Sequence, residues 1–387
     1  MSNLIPLSEP LINGNEWKYI KECLDTGWVS SAGKYVERFE NAICEFTGSK
    51  YAIACVNGTS ALQVALRLVG VQPGDEVLVP TITFIAPVNV VRYLNAEPIL
   101  MDCDEYYNID IQKTLQFLED ETDYINGVTI NKRTGCRISG IIPVHVFGNA
   151  VDLEALLPVC RERNIKIVED ATESLGTYYI RGELRSRYTG IVGDIGCYSF
   201  NGNKIITTGG GGMIVTNNPD YAEKARYFTT QAKDDPVRYV HNEIGYNFRM
   251  TNIQAALGVA QLERLNEFIE IKQNNYWFYK DKINSIDGLH LQETPDYAHV
   301  NFWHYALQIQ SNIYSKGKEK LMAFLAEKGI QTRPLWYPNH LQKPYRNCQS
   351  YQIEHAVEMW QKTLNIPCSV NLTKIDIERV CMSLKDG

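Results

Sequence analysis

Four stretches of this chain carry side chains that could do chemistry. Asn57-Gly58-Thr59-Ser60 follows the short apolar run 51–56 and opens the helical pattern Ala61, Leu62, Ala65, Leu66, Val69. Unpaired amides at a helix start, a glycine permitting close approach and two hydroxyls suit a phosphate. The run Lys166-Ile167-Val168-Glu169-Asp170 ends a strand pattern in a carboxylate, which is costly to bury unless a cation or donor faces Asp170. Lys204 lies between the apolar run ending at Phe200 and the glycines Gly209 to Gly212, not the setting of an ordinary solvated lysine, and an amine that acts as a nucleophile needs a desolvated or electropositive place to lose its proton. The stretch 245–251 presents Asn247 and Arg249, and the guanidinium could clamp a carboxylate through two parallel bonds. Each has a structural alternative: Thr59 or Ser60 as a helix cap, Asp170 as a cap or ion-pair member, Lys204 on a surface loop, Arg249 in an ion pair. Taken together and in this order, they match what pyridoxal 5'-phosphate needs: donors for its phosphate, a carboxylate for its ring nitrogen and a lysine for its aldehyde. Gly209 to Gly212 fit no nucleotide-loop pattern, because a strand rather than a helix follows them.

The elements that must position these groups alternate. The spacing of Val36, Phe39, Ile43 and Phe46 predicts a helix over 35–47, stopped by Gly48. Strands are expected at 51–56, 76–79, 98–103, 141–147 and 165–170, with helices from about 61, 85, 110 and 152 between them. Such alternation specifies an α/β fold with a mostly parallel sheet covered on both faces. Strands at 195–200 and 212–216 leave no room for a crossover helix and read as a hairpin-like excursion. One long helix over 251–283 is expected to lead into a smaller α/β unit, with strands near 302–309 and 330–334 and helices near 318–328 and 374–384. This gives an N-terminal segment and large domain over 1–250, and a linking helix and small domain over 251–387. In open sheets of this kind ligands bind beyond the carboxyl ends of the strands, where all four stretches fall.

Composition narrows the partners. Among 387 residues, 38 basic against 45 acidic side chains give a net charge of −7, so no cationic surface for nucleic acid is expected. No apolar run is long enough to span a membrane, and Met1 to Pro10 has no basic start followed by an apolar stretch, so a cytoplasmic protein is expected. The ten cysteines include no C-x-x-C pair and the seven histidines no H-E-x-x-H or H-x-H arrangement, which argues against a metal centre and for reduced, mostly buried thiols.

Six motifs in order resemble the sugar aminotransferases of the DegT/DnrJ/EryC1/StrS family: Asn57 to Leu62, Pro143-Val144-His145-Val146-Phe147-Gly148, Glu169-Asp170-Ala171, Tyr198-Ser199-Phe200 with Lys204, Thr207-Thr208-Gly209, and Asn247-Phe248-Arg249. The resemblance implies fold type I, the aspartate aminotransferase fold, with a seven-stranded sheet, working as a homodimer with shared active sites. It implies that Lys204 bonds to the cofactor aldehyde, Asp170 pairs with the ring nitrogen, Thr59, Ser60 and Ser199 hold the phosphate together with Asn247 of a neighbouring subunit, and Phe84 stacks on the ring. Phe84 could equally be a core aromatic at a helix start. Where the family often places glutamine or histidine this chain has Glu173, and an ionised glutamate cannot donate to the cofactor's phenolic oxygen. Either Glu173 is protonated there or another group takes that contact. Thr172 and Gly210 also depart from the family pattern, without removing a chemical role.

The same resemblance implies transamination from L-glutamate to a nucleotide-linked 4-keto-6-deoxy sugar. Arg249 is the candidate for the donor carboxylate, and the stretches holding Trp28 and Ser30, and Trp336 and His340, are candidates for sugar and nucleotide. A UDP-linked 2-acetamido-4-keto-2,6-dideoxy hexose is favoured over a GDP-linked 4-keto-6-deoxymannose. The sugar dehydratase branch of the family replaces the lysine with histidine, which Lys204 opposes. A regulator that binds cofactor or sugar without turnover is the alternative of another class.

Overall fold

The computed structural model describes residues 4–235 and 237–387; Met1 to Asn3 of the N-terminal stretch considered above lie outside the described residues. Two helices, α1 (Glu16–Thr26) and α2 (Lys34–Thr47), precede the first strand. There follow β1 (Tyr51–Cys55), α3 (Gly58–Leu68), β2 (Glu76–Pro80), α4 (Ala86–Tyr93), β3 (Glu97–Met101), α5 (Ile111–Asp120), the hairpin β4 (Thr122–Ile125) and β5 (Val128–Asn131), β6 (Ile138–Ile141), α6 (Leu153–Glu162) and β7 (Lys166–Asp170). The chain continues through β8 (Tyr178–Tyr179), β9 (Ile195–Ser199), β10 (Gly212–Thr216), α7 (Pro219–Thr229), α8 (Asn252–Leu262) and α9 (Leu265–Ile283). Its last part comprises β11 (Leu289–Leu291), β12 (Ala298–His299), β13 (Tyr305–Ile309), α10 (Lys318–Glu327), β14 (Arg333–Pro334), β15 (Ser350–Tyr351), α11 (His355–Lys362), β16 (Thr363–Ile366) and α12 (Lys374–Lys385).

The large sheet runs β1-β10-β9-β7-β6-β2-β3-β15, parallel except where β10 meets β1 and β9. Successive side chains of a strand face opposite ways, so β1 sends Ile53 and Cys55 into the layer under α3, α4 and α7, and Ala52 and Ala54 into the layer under α2 and α8. Both faces are dry, which is why its strands read as short, nearly continuous apolar runs. A second, antiparallel sheet, β11-β13-β16-β14, packs on α9 and α12. Contacts cross residue 250 in both directions. Ile5 bridges to Ile330 and Leu7 O accepts from Cys368 N at 2.7 Å, while Ser350 and Tyr351 extend the large sheet beside β3.

The structure departs from the expectations in four places. The strand expected over 141–147 is regular only up to Ile141; beyond it the pairing with β7 continues as a single bridge from Val144 to Asp170, with Pro143 O accepting from Asp170 N at 2.9 Å, until Phe147 takes a left-handed turn at φ 57°. The long helix is two, parted at Glu263 and Arg264, where Tyr19 and Arg38 hold the Glu263 carboxylate and Arg264 turns to Glu267. The pair β9 and β10 is antiparallel, as expected of a hairpin, but it is no excursion: it is the part of the sheet that joins β1 to β7. The sheet has eight strands rather than seven, the eighth being two-residue β15. It is docked by buried Asp102, which accepts from the backbone N–H of Glu354, His355 and Ala356 and pairs with Lys113 Nζ at 2.7 Å.

Candidate active site

A cavity of about 420 Å³ opens at the carboxyl ends of β1, β7 and β9. Asn57, Gly58 and Thr59 form one wall, Asp170, Thr172 and Glu173 another, Ser199 and Lys204 the floor, and Phe84, Trp303 and Trp336 the apolar sides. Phe84 is 56% exposed, so it is no core aromatic; its ring is free to cover a ligand.

The first wall is built by an N-cap. Asn57 is extended and its Oδ1 accepts from Ser60 N at 2.8 Å, so the cap is Asn57 rather than Thr59 or Ser60. This leaves the amides of Gly58 and Thr59 and the Thr59 hydroxyl for the cavity, since Ala61 N donates to Asn57 O. Ser60, expected beside them, is buried and does not line it. A Cβ built on Gly58 would stand 3.0 Å from Ser199 Cβ and 3.2 Å from Thr172 Cγ2, so any side chain there would fill the cradle. Gly212 is needed for the same join: a Cβ would come within 2.5 Å of the Asn57 backbone.

The chemistry sits opposite. Asp170 ends β7 fully buried, with Oδ1 accepting from Thr172 N at 3.0 Å; burial raises its pKa, opposed by the Thr172 contacts and the Lys204 charge. Glu173 Oε2 accepts from Phe147 N at 2.9 Å and Oε1 lies 3.7 Å from Lys204 Nζ. Burial pushes the Glu173 carboxyl up to about 7, against the pull of Lys204. Lys204 is not a surface lysine. Its side chain is 12% exposed, Nζ lies 3.9 Å from the centre of the Trp303 ring, and burial lowers its pKa while Glu173 and Asp170 work to raise it. An amine biased towards neutrality, a strand-end carboxylate, a helix start with free amides and an exposed ring are a donor set that suits pyridoxal 5'-phosphate, and Gly58 leaves the room its phosphate requires.

Other expected residues stand elsewhere. Trp28 lines a second cavity of about 340 Å³ with Tyr35 and Asn252, and Ser30 lies on the same exposed loop, its carbonyl accepting from Asn252 N. Asn247 is exposed, and Arg249, bridged to Cys55, has its Nε buried without a hydrogen-bond partner among the described residues; neither lines the Lys204 cavity. Trp336 lines it, whereas His340 sits just behind, its Nδ1 2.8 Å from Thr81 Oγ1 on the loop that carries Phe84. Trp303 was not foreseen. It lies inside an apolar stretch that reads as a strand, and only the turn at Phe302, with φ 50°, frees its ring to face the cavity. Among the described residues no cluster of His, Cys, Asp or Glu could hold a metal, and no helix is long and apolar enough to cross a membrane.

Residues 10–385 match the DegT/DnrJ/EryC1/StrS aminotransferase family. A GDP-perosamine synthase of Caulobacter vibrioides is 39% identical, with 99% of each chain covered. A GDP-perosamine synthase of Escherichia coli O157:H7 is 36% identical over 99% of this chain and 98% of that one. Among solved structures, a DegT DnrJ EryC1 StrS aminotransferase from Brucella abortus superposes with a TM-score of 0.86 at 25% identity, covering 96% of this chain and 95% of that one.

Proposed function

The chain belongs to the DegT/DnrJ/EryC1/StrS aminotransferase family, whose members depend on pyridoxal phosphate, and we propose that it transfers the amino group of L-glutamate to carbon 4 of GDP-4-keto-6-deoxymannose, forming GDP-perosamine. The resemblance read from the sequence motifs favoured a UDP-linked sugar. The two GDP-perosamine synthases, matched over nearly their whole length, turn that preference to GDP. The observation that carries the reaction class is Lys204, desolvated beside Glu173 in a cavity closed on one side by the start of α3.

In this reading the amides of Gly58 and Thr59 with the Ser199 hydroxyl would hold the cofactor phosphate, Asp170 would pair with its ring nitrogen, Lys204 would bond to its aldehyde and Phe84 would cover the ring. When bound, the cofactor supplies the electron sink that makes the donor's α-hydrogen acidic. Lys204 Nζ then holds the proton removed from that carbon and later delivers one to sugar carbon 4. The apolar walls of Trp303 and Trp336 keep water from the reacting atoms. Asn247, exposed, together with Arg249, Trp28 and Ser30, serves the cavity of a second copy in a homodimer with shared sites, and His340 sets the edge where the nucleotide enters.

Purified protein given L-glutamate and GDP-4-keto-6-deoxymannose is expected to release oxoglutarate in step with the amino sugar. A UDP-linked 2-acetamido-4-keto sugar, assayed beside it, should be used more slowly. Faster turnover of the UDP sugar would overturn the substrate, and no oxoglutarate from any keto sugar would favour a binding protein without turnover.

A further inference from the structure

Among the described residues, the cavity sets two carboxyls against one amine, and their geometry is unequal. Glu173 Oε2 is occupied by Phe147 N, whose left-handed turn fixes the carboxyl plane, so Oε1 is the oxygen left to face Lys204. Asp170 makes no ion pair with Nζ within 4.0 Å and is turned to Thr172. Nζ also lies over the Trp303 ring, 3.9 Å from its centre, and that ring is tied back to the lysine's own loop by Nε1 donating to Asn203 O at 2.7 Å. A face-on indole attracts an ammonium but not a neutral amine.

We propose that Glu173 is the proton partner of Lys204: when the amine is not bonded to cofactor, its ammonium rests between the Glu173 carboxylate and the Trp303 face, and passes its proton to Oε1 when a neutral amine is required. The inference rests on the function proposed above and adds a positioning role to Glu173 and Trp303 that the cofactor contacts do not assign. An N–H bond breaks with its electron pair kept on Nζ, an O–H bond forms on Oε1, and the net charge of the pair is unchanged. The 3.7 Å gap exceeds a direct hydrogen bond by about 0.5 Å or more, a distance that a small swing of the flexible lysine stem or one bridging water closes. Burial raises the Glu173 pKa and lowers that of Lys204, which draws the two groups towards a common range. The other charged or titratable groups that bear on the pair are Asp170 from the end of β7, with His145 beside it, and His304 and Lys272 behind Trp303. A protonated Glu173 also becomes a donor, which removes the difficulty posed by a glutamate at a position where the family often has glutamine or histidine.

Pulse acetylation of Lys204 with acetic anhydride across a pH series, read by peptide mass spectrometry on the full chain without added cofactor, tests this directly. In Glu173→Gln the labelling midpoint is expected to fall by about one pH unit, because an opposite charge within ~4–6 Å holds an ammonium. Trp303→Leu should lower it by less, and Glu173→Asp should restore part of the Glu173→Gln shift. An unchanged or raised midpoint in Glu173→Gln overturns the proposal; if that variant does not fold, Glu173→Ala, which also removes the charge, decides it by the same criterion, a lowered midpoint supporting and an unchanged one refuting. Labelling needs neither substrate nor cofactor. A chain that fails in the oxoglutarate assay can therefore still pass this one, and the reverse, so the two failures are told apart.

Discussion

Replacing Gly58 with alanine separates the cradle from the helix it starts. Gly58 is the first residue of α3 and its backbone lies outside the left-handed region, so alanine is conformationally acceptable there and improves helix propensity by up to about 1 kcal/mol. Against this, the new methyl meets Ser199 Cβ at 3.0 Å, Thr172 Cγ2 at 3.2 Å and Ser199 Oγ at 3.3 Å, which requires those side chains to give by a few tenths of an ångström. The Thr172 methyl and the Ser199 hydroxyl can rotate towards the open cavity, but Ser199 Cβ moves only with the backbone of β9, so the cost lies at the lower end of the ~1–3 kcal/mol of overpacking in a closed core. The two terms nearly cancel, and stability without cofactor should change by no more than about 1 kcal/mol. Binding does not enjoy that cancellation. The displaced side chains occupy the space a phosphate would enter, and losing two hydrogen bonds to a charged group at ~1.5 kcal/mol or more each weakens the cofactor by about 100-fold. Thermal melting without cofactor, and titration with pyridoxal phosphate followed by visible absorbance, measure the two effects separately. Unchanged cofactor affinity in a folded Gly58→Ala protein would refute the assignment of this helix start as the phosphate cradle.

Lys204→Ala should still bind cofactor but lose amino transfer by a factor of at least ~10²–10⁴, the usual worth of a positioned acid–base group, as read by oxoglutarate release. For Glu173→Gln the sign follows from its raised pKa: the wild-type carboxyl stabilises the fold fully below pH 4.5 and loses that contribution as pH rises through about 7. The variant should therefore show a smaller fall in stability between pH 5 and pH 8, by ~1–3 kcal/mol in urea titrations; an equal fall in both proteins would contradict it. Asp102→Ala removes a fully buried carboxylate from Lys113 and from three backbone N–H groups at the start of α11, and should cost about 3 kcal/mol. Contacts hold the Asp102 pKa below its ordinary value, so its contribution is present above pH 3.8 and lost on acidification, and the variant's acid limb should be shallower.

The large sheet was legible because its strands are buried on both faces and its helices carry apolar stripes; those signals are local and survive without knowledge of partners. What escaped depended on contacts distant in sequence. A two-residue strand such as Ser350–Tyr351 has no periodicity to read, and it exists because Asp102, some 250 positions earlier, caps the helix after it. The break after Leu262 lies in a continuous helical pattern and is imposed by Tyr19 and Arg38 holding Glu263. Asp170 and Lys204 could be chosen because burial makes charged types conspicuous in apolar surroundings. Trp303 could not, since an indole in an apolar stretch is indistinguishable from core until the turn at Phe302 is seen.

The position of Glu173 shows why the site has the charge it has. Three residues beyond Asp170, it turns back into the same cavity, so both acids lie within the field of Lys204. A second permanent carboxylate there would hold the lysine as an ammonium and oppose its bonding to an aldehyde. Glutamine would avoid that, but would leave the amine without a group to take its proton. A carboxyl whose pKa is pushed up to about 7 does both: it is charged when the ammonium needs a partner and neutral when the amine must act. It follows that the acid limb of the pH–rate profile should move when Glu173 becomes glutamine and persist when it becomes aspartate. Identical acid limbs in the wild type and Glu173→Gln would mean that the lysine exchanges its proton with some other group.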